Sequence, residues 1–233
     1  MSPFLHILAE GERDELFYER ICEKLTGLTF QRNTSGNEEY RYVPGANWKT
    51  VFRLARLALS KYSHLETSQE IAILIAMDND RAPGHPGGRE YPRPLPGHDR
   101  KKEPRYPQLQ SMVAEKLGTD PAERKVQAVI AMPVEMIESW LLLLLDPARR
   151  EESLPPFSET NSAIAREYYG KEPPPQLKDE SEASRKRLKL DPDSHFFAAA
   201  DTGDLEALTA ASPSFAVFRK EVEVLRELWN PGT

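Results

Sequence analysis

The chain has 233 residues, 39% hydrophobic and 29% charged, which suits a soluble globular protein with one good-sized domain, or one domain and a small appendage. Its apolar runs, WLLLLLD among them, fall far short of the roughly 20 residues a membrane-spanning helix needs, and its single cysteine, Cys22, excludes an internal disulfide or a Cys-rich zinc site. The net charge of −6 argues against a free-standing nucleic-acid binder held by a broad basic face, but not against a nuclease whose site is itself built of carboxylates.

The opening MSPFLHILAEG lacks a basic leader region and runs straight into apolar residues, so no signal peptide and a cytoplasmic location are expected. Residues 4–9 (FLHILA) suit a strand buried on both faces. Beyond Gly11, Phe17, Ile21 and Leu25 recur at helical spacing, and Glu12, Asp14 and Glu15 suit the positive end of a helix dipole. The polar stretch 29–45 reads as a hairpin or a loop. NWKTVFRLARLALSKY then predicts a helix with Asn47 as N-cap and Val51, Leu54, Leu57 and Ala58 on its apolar face.

EIAILIAM (70–77) is the clearest buried strand. Residues 81–107 follow, too rich in Pro, Gly, Arg and Lys for regular structure and long for a loop inside a compact domain. PQLQSMVAEKLG predicts a helix and KVQAVIAMP (125–133) a third buried strand. VEMIESWLLLLLD is an apolar helix with Ile137, Trp140, Leu141 and Leu144 at helical spacing. This alternation points to an α/β fold with a mostly parallel sheet flanked by helices, over residues 1–146. Residues 147–233 form a polar, Pro-rich C-terminal helical extension, whose last segment, PSFAVFRKEVEVLRELW, is amphipathic and is expected to pack on the core.

In open α/β sheets, ligands bind beyond the carboxyl ends of the strands. Glu10 ends the first strand, and Asp78 and Asp80 end the second clear one. Three carboxylates on one sheet edge suit a hard cation such as Mg²⁺, which takes carboxylates, waters and substrate phosphates. Gly11 suits a sharp strand-to-helix turn beside a phosphate. Acidic strand ends also arise simply because those ends reach solvent.

AEGERDE (Glu10, Gly11, with Asp14 in the follow-on position) and, later, MDND (Asp78, Asp80), with GANWKTVFRLARLAL as the intervening helix, resemble the TOPRIM domain over roughly residues 3–135. That domain is shared by topoisomerases, bacterial primases, RNA-maturation nucleases and the OLD (overcoming lysogenization defect) nucleases. AMPVEMIESWLLLLLD is similar to the segment after the last core strand in small stand-alone bacterial TOPRIM-like proteins. By that resemblance Glu138, with Glu135 in reserve, is a candidate ligand for a second metal.

The resemblance implies a Rossmann-like TOPRIM catalytic domain and a metal-dependent nuclease hydrolysing phosphodiester bonds in DNA or RNA with Mg²⁺ or Mn²⁺. Catalysis would fall to Glu10, Asp78 and Asp80, and metal binding to Glu10, Asp14, Asp78, Asp80 and Glu138. OLD-type relatives fuse the domain to an ABC-type ATPase. Here a separate ATPase subunit is the implied partner, in a bacterial anti-phage defence complex, and a homo-oligomer is compatible with the sequence. Arg81, Arg100, Lys101 and Lys102, in the long loop with Tyr91 and Tyr106, are candidates for contacting nucleic-acid phosphates. The basic cluster SRKRLKL is a weaker candidate. The alternatives are a non-cleaving TOPRIM-like scaffold that binds nucleic acid or a partner, and a phosphotransferase or glycosyltransferase that uses Asp-x-Asp. The latter pair fit less well, since the first strand here ends in Glu10-Gly11.

Overall fold

The computed structural model describes residues 3–32, 47–64, 71–79, 82, 84–86, 104–134, 137–146, 148–154 and 200–229. In chain order the elements are β1 (Phe4–Leu8), α1 (Glu12–Thr26), β2 (Gln31–Arg32), α2 (Trp48–Tyr62), β3 (Ile71–Ala76), α3 (Arg105–Leu117), β4 (Val126–Ala131), α4 (Ile137–Leu145), α5 (Leu205–Ala211) and α6 (Pro213–Trp229). The strands form one parallel sheet in the order β2-β1-β3-β4. The expected α/β architecture with a mostly parallel sheet, flanking helices and a helical C-terminal region is present.

Local chemistry sets the element boundaries. Gly27 ends α1 in the left-handed region at φ 71°, where a missing Cβ removes the steric cost, and its N–H bonds the Glu23 carbonyl at 2.8 Å. Asn47 caps α2 as expected, its side chain accepting from the amides of Lys49 and Thr50 at 3.0 and 3.3 Å. The face of α2 turned to the sheet carries Val51, Leu54, Ala55, Ala58, Leu59 and Tyr62. Leu57, expected on that face, is 43% exposed, because the buried stripe runs through Ala55 and Leu59 instead. Where the sequence suggested a hairpin or loop, Gln31 and Arg32 form a two-residue edge strand parallel to β1. Helix α3 begins at Arg105, two residues before the expected Pro107, since proline is tolerated in a first turn whose amides lack helical partners.

Helices cover both faces of the sheet. On β3, Ala72, Leu74 and Ala76 face α1, α4, α5 and α6, while Ile71, Ile73 and Ile75, with Met77 just beyond the strand, face α2 and α3. Every residue of β3 is buried, so an unbroken apolar run is the only sequence that fits. Each buried Ile or Leu there contributes about 1.5–3 kcal/mol.

The C-terminal helices belong to the first of these cores. Phe215 and Phe218 are fully buried against Trp140, with ring centroids 5.1 and 5.4 Å away. No helix among the described residues is long and apolar enough to cross a membrane.

Candidate functional site

Register decides which strand-end residues meet. Leu8 pairs with Ile75, so continuing the ladder two residues sets Glu10 level with Met77 and beside Asp78. The Met77 amide still bonds the Ala131 carbonyl at 3.0 Å, which carries the β3–β4 pairing past the last residue of each strand. The chain then leaves the sheet at one edge, and there the Glu10 carboxylate accepts a hydrogen bond from the Asp78 amide at 3.1 Å. The two acidic stretches of the sequence thus meet.

Asp78 is held from three directions. Its amide is on Glu10. Its side chain accepts from the Ile137 amide at the start of α4, at 3.2 Å. Its carbonyl accepts from the Arg105 guanidinium at the start of α3. Both carboxylates are half-buried and each lies next to a helix N-terminus, α1 for Glu10 and α4 for Asp78. The positive ends of two helix dipoles therefore favour negative charge at this edge.

Asp14 folds back over the turn that precedes it. A methyl group on Gly11 would lie 2.9 Å from Asp14 Oδ2. Gly11 is in extended backbone at φ −140°, a conformation open to any residue, so room for the Asp14 carboxylate explains this glycine.

The turn after Asp78 is tightly bonded. The Asn79 side-chain amide donates to the Ala82 carbonyl at 2.8 Å, and the Ala82 amide donates to the Asn79 carbonyl at 2.7 Å. Asn79 Oδ1 is buried and has no hydrogen-bond partner among the described residues. Such orphaned acceptors are rare in folded proteins. His85, just beyond, is buried against the Met132 carbonyl. Burial pushes its imidazole down to about 4, so it is neutral at physiological pH.

The remaining sequence candidates divide as follows. Asp80, Arg81, Glu135, Arg100, Lys101 and Lys102 lie outside the described residues, as does the SRKRLKL segment. Glu138 falls in the first turn of α4, but its side chain is not among those described. Among the described residues, no three His, Cys, Asp or Glu side chains form a group that could hold a metal ion.

Two features at this edge had no clear signal in the sequence. Arg105, which the sequence placed within the long loop of residues 81–107, is only 4% exposed, and its guanidinium lies 4.6 Å from the centroid of the Trp48 ring. At the open edge of β4, Glu221 of α6 accepts from the Ile130 amide at 2.5 Å and from the Tyr106 hydroxyl at 2.9 Å. Burial pushes the Glu221 carboxyl up to about 7. It borders a cavity of about 230 Å³ lined also by Arg124, Gln110, Gln127 and Ile130. Comparisons of the chain with protein-family models, with curated proteins and with solved structures find no match.

Proposed function

We propose that the protein is a metal-dependent nuclease of the TOPRIM type, hydrolysing phosphodiester bonds in DNA or RNA, with its site at the edge where β1 and β3 end. The observation that carries this reading is the hydrogen bond from the Asp78 amide to Glu10, which makes neighbours of two carboxylates far apart in the chain. The donor set suits a hard divalent cation, because Mg²⁺ at phosphoryl-transfer sites takes one or two carboxylates and completes its shell with water and phosphate. Asn79 Oδ1, an orphaned acceptor adjoining Asp78 in the chain, is a group that a cation or its hydration water would satisfy. Asp80, Asp14 and Glu138 are the further carboxylates of the proposed site.

A bound Mg²⁺ or Mn²⁺ would supply charge neutralisation at the phosphate and a lowered pKa for the attacking water. The chain's own groups do the rest. Glu10, with one oxygen fixed on the Asp78 amide, presents an oriented carboxylate as ligand or as general base for the attacking water. Asp78, anchored on the α4 amide, holds its carboxylate at the same edge without needing to reorganise. The N-termini of α1 and α4 offset the repulsion between the acids and favour an anionic substrate there. The basic loop residues Arg81, Arg100, Lys101 and Lys102 are the proposed phosphate contacts, and a separate ABC-type ATPase in an anti-phage defence complex is the proposed partner.

The test incubates the chain, with and without a candidate ATPase, on DNA and RNA with Mg²⁺ or Mn²⁺. Cleavage should appear in wild type and fall at least 100-fold in Glu10→Gln and Asp78→Asn. Equal cleavage in those variants excludes this site. Nucleic-acid binding without cleavage supports the non-cleaving scaffold instead.

A further inference from the structure

We propose that Arg105 is a positioning residue for this edge, holding the Asp78 peptide through its carbonyl while the Trp48 ring holds the guanidinium. This rests on the nuclease reading for its consequence in catalysis, but not for its geometry. Four segments meet here: the end of β1 through Glu10, the start of α2 through Trp48, the start of α3 through Arg105, and the start of α4 through Ile137. Asp78 is bonded to three of them, through its amide, its carbonyl and its side chain.

A carbonyl that has just left a sheet has lost its ladder partner and would otherwise turn toward water. Arg105 prevents that rotation. The Asp78 amide and carbonyl flank one Cα, so a carbonyl released from Arg105 frees the backbone of this residue and weakens the hold of its amide on Glu10.

The choice of arginine is physical. A guanidinium is planar and weakly hydrated, so it can lie against an indole and donate a hydrogen bond at the same time. Lysine would bring the charge but not the flat platform contact. Lys49, 5.5 Å from the same ring centroid, already occupies the exposed side of this cluster. A buried guanidinium is expensive to desolvate unless its donors are used, so its 4% exposure together with its bond to the Asp78 carbonyl indicates a defined role.

The experiment has two readouts, applied to Arg105→Met, Arg105→Lys and Trp48→Leu. The first is amide hydrogen exchange at Asp78, followed by NMR on the full chain without added metal. Exchange should be at least tenfold faster in Arg105→Met, with partial protection in Arg105→Lys and an intermediate value in Trp48→Leu. Unchanged exchange in all three overturns the proposal. If Arg105→Met does not fold, the other two variants carry the test, since each keeps a cation in the site.

The second readout is cleavage, with Asp78→Asn as the inactive control. A kcat reduced at least tenfold with KM within threefold of wild type is expected. A raised KM with unchanged kcat overturns positioning in favour of substrate contact. Should wild type cleave nothing, the nuclease reading falls, and the exchange measurement alone decides the role of Arg105.

Discussion

Glu221 shows how one side chain can be drawn into the fold by a strand it does not belong to. Strand β4 is an edge of the sheet, so its outward amides need a cover or a partner. The Glu221 carboxylate bonds one of them, at Ile130, and receives the Tyr106 hydroxyl as well. Burial raises the carboxyl to about 7 from an ordinary 4.5, outweighing the hydrogen bonds from Ile130 and Tyr106 and the charge of Arg124, which favour the ionised form.

The consequence for stability has a definite sign. Between pH 4.5 and 7 the folded state binds more protons at this group than the unfolded state, so its contribution is full below 4.5 and lost as pH rises through 7. The loss is about 3 kcal/mol by the usual conversion. Glu221→Gln remains neutral and can still bond the Ile130 amide and the Tyr106 hydroxyl. Urea unfolding of both proteins from pH 4.5 to 8 should show wild type losing ground to the variant across that window, other carboxylates cancelling in the difference. A pH-independent difference would show that burial does not perturb Glu221.

At the scale of elements, the docking of α6 depends on a buried polar knot. Ser214, in the first turn of α6, accepts from the Trp140 indole N–H at 2.8 Å and donates to Glu151, whose carboxylate also takes the Ser214 amide at 2.9 Å. The Ser212 hydroxyl lies 3.1 Å from that of Ser214 and accepts from the Phe215 amide at the same distance. A short helix start thereby has its free amides satisfied inside the protein. Burial raises the Glu151 carboxyl, and the hydrogen bonds from Ser214 act in the opposite direction.

Ser214→Ala removes a donor from Glu151 and the acceptor of Trp140 together. The variant should lose about 2–3 kcal/mol, since each buried polar group left without a partner is costly. The deficit should be greater at pH 8 than at pH 4, because a carboxyl raised above its ordinary 4.5 is protonated at the lower pH and suffers less than the carboxylate from a lost donor. Denaturant unfolding at the two pH values measures both effects. A loss below 0.5 kcal/mol at both would mean that the knot contributes little.

For the molecule as a whole, the C-terminal helices complete the sheet's covering layer. Phe215, Phe218, Val222 and Leu225 share one buried cluster with Leu5 of β1, Leu74 of β3 and Trp140 of α4. Deleting the chain from Pro213 onward would expose that cluster, including rings that each bury about 150–250 Å². The truncated chain should therefore lose its cooperative thermal transition and bind a hydrophobic dye, whereas the full chain should melt in one step. Cooperative melting of the fragment in calorimetry would show that residues 1–212 carry a self-sufficient core.

The sequence by itself determined the class of the fold and where its acids are. Strands buried on both faces of a parallel sheet must be unbroken apolar runs, so FLHILA, EIAILIAM and KVQAVIAMP were readable without any partner. Glu10 and Asp78 were readable for the same reason, as the first acids after such runs. The two-residue strand at Gln31 was not, because an edge pairing so short needs no apolar pattern. Tertiary structure alone decided that Glu10 bonds the Asp78 amide, that Arg105 lies buried on Trp48, and that Glu221 covers the edge of β4. Those contacts depend on strand register and helix packing, which bring together residues far apart in the chain, and local periodicity carries no record of such distances.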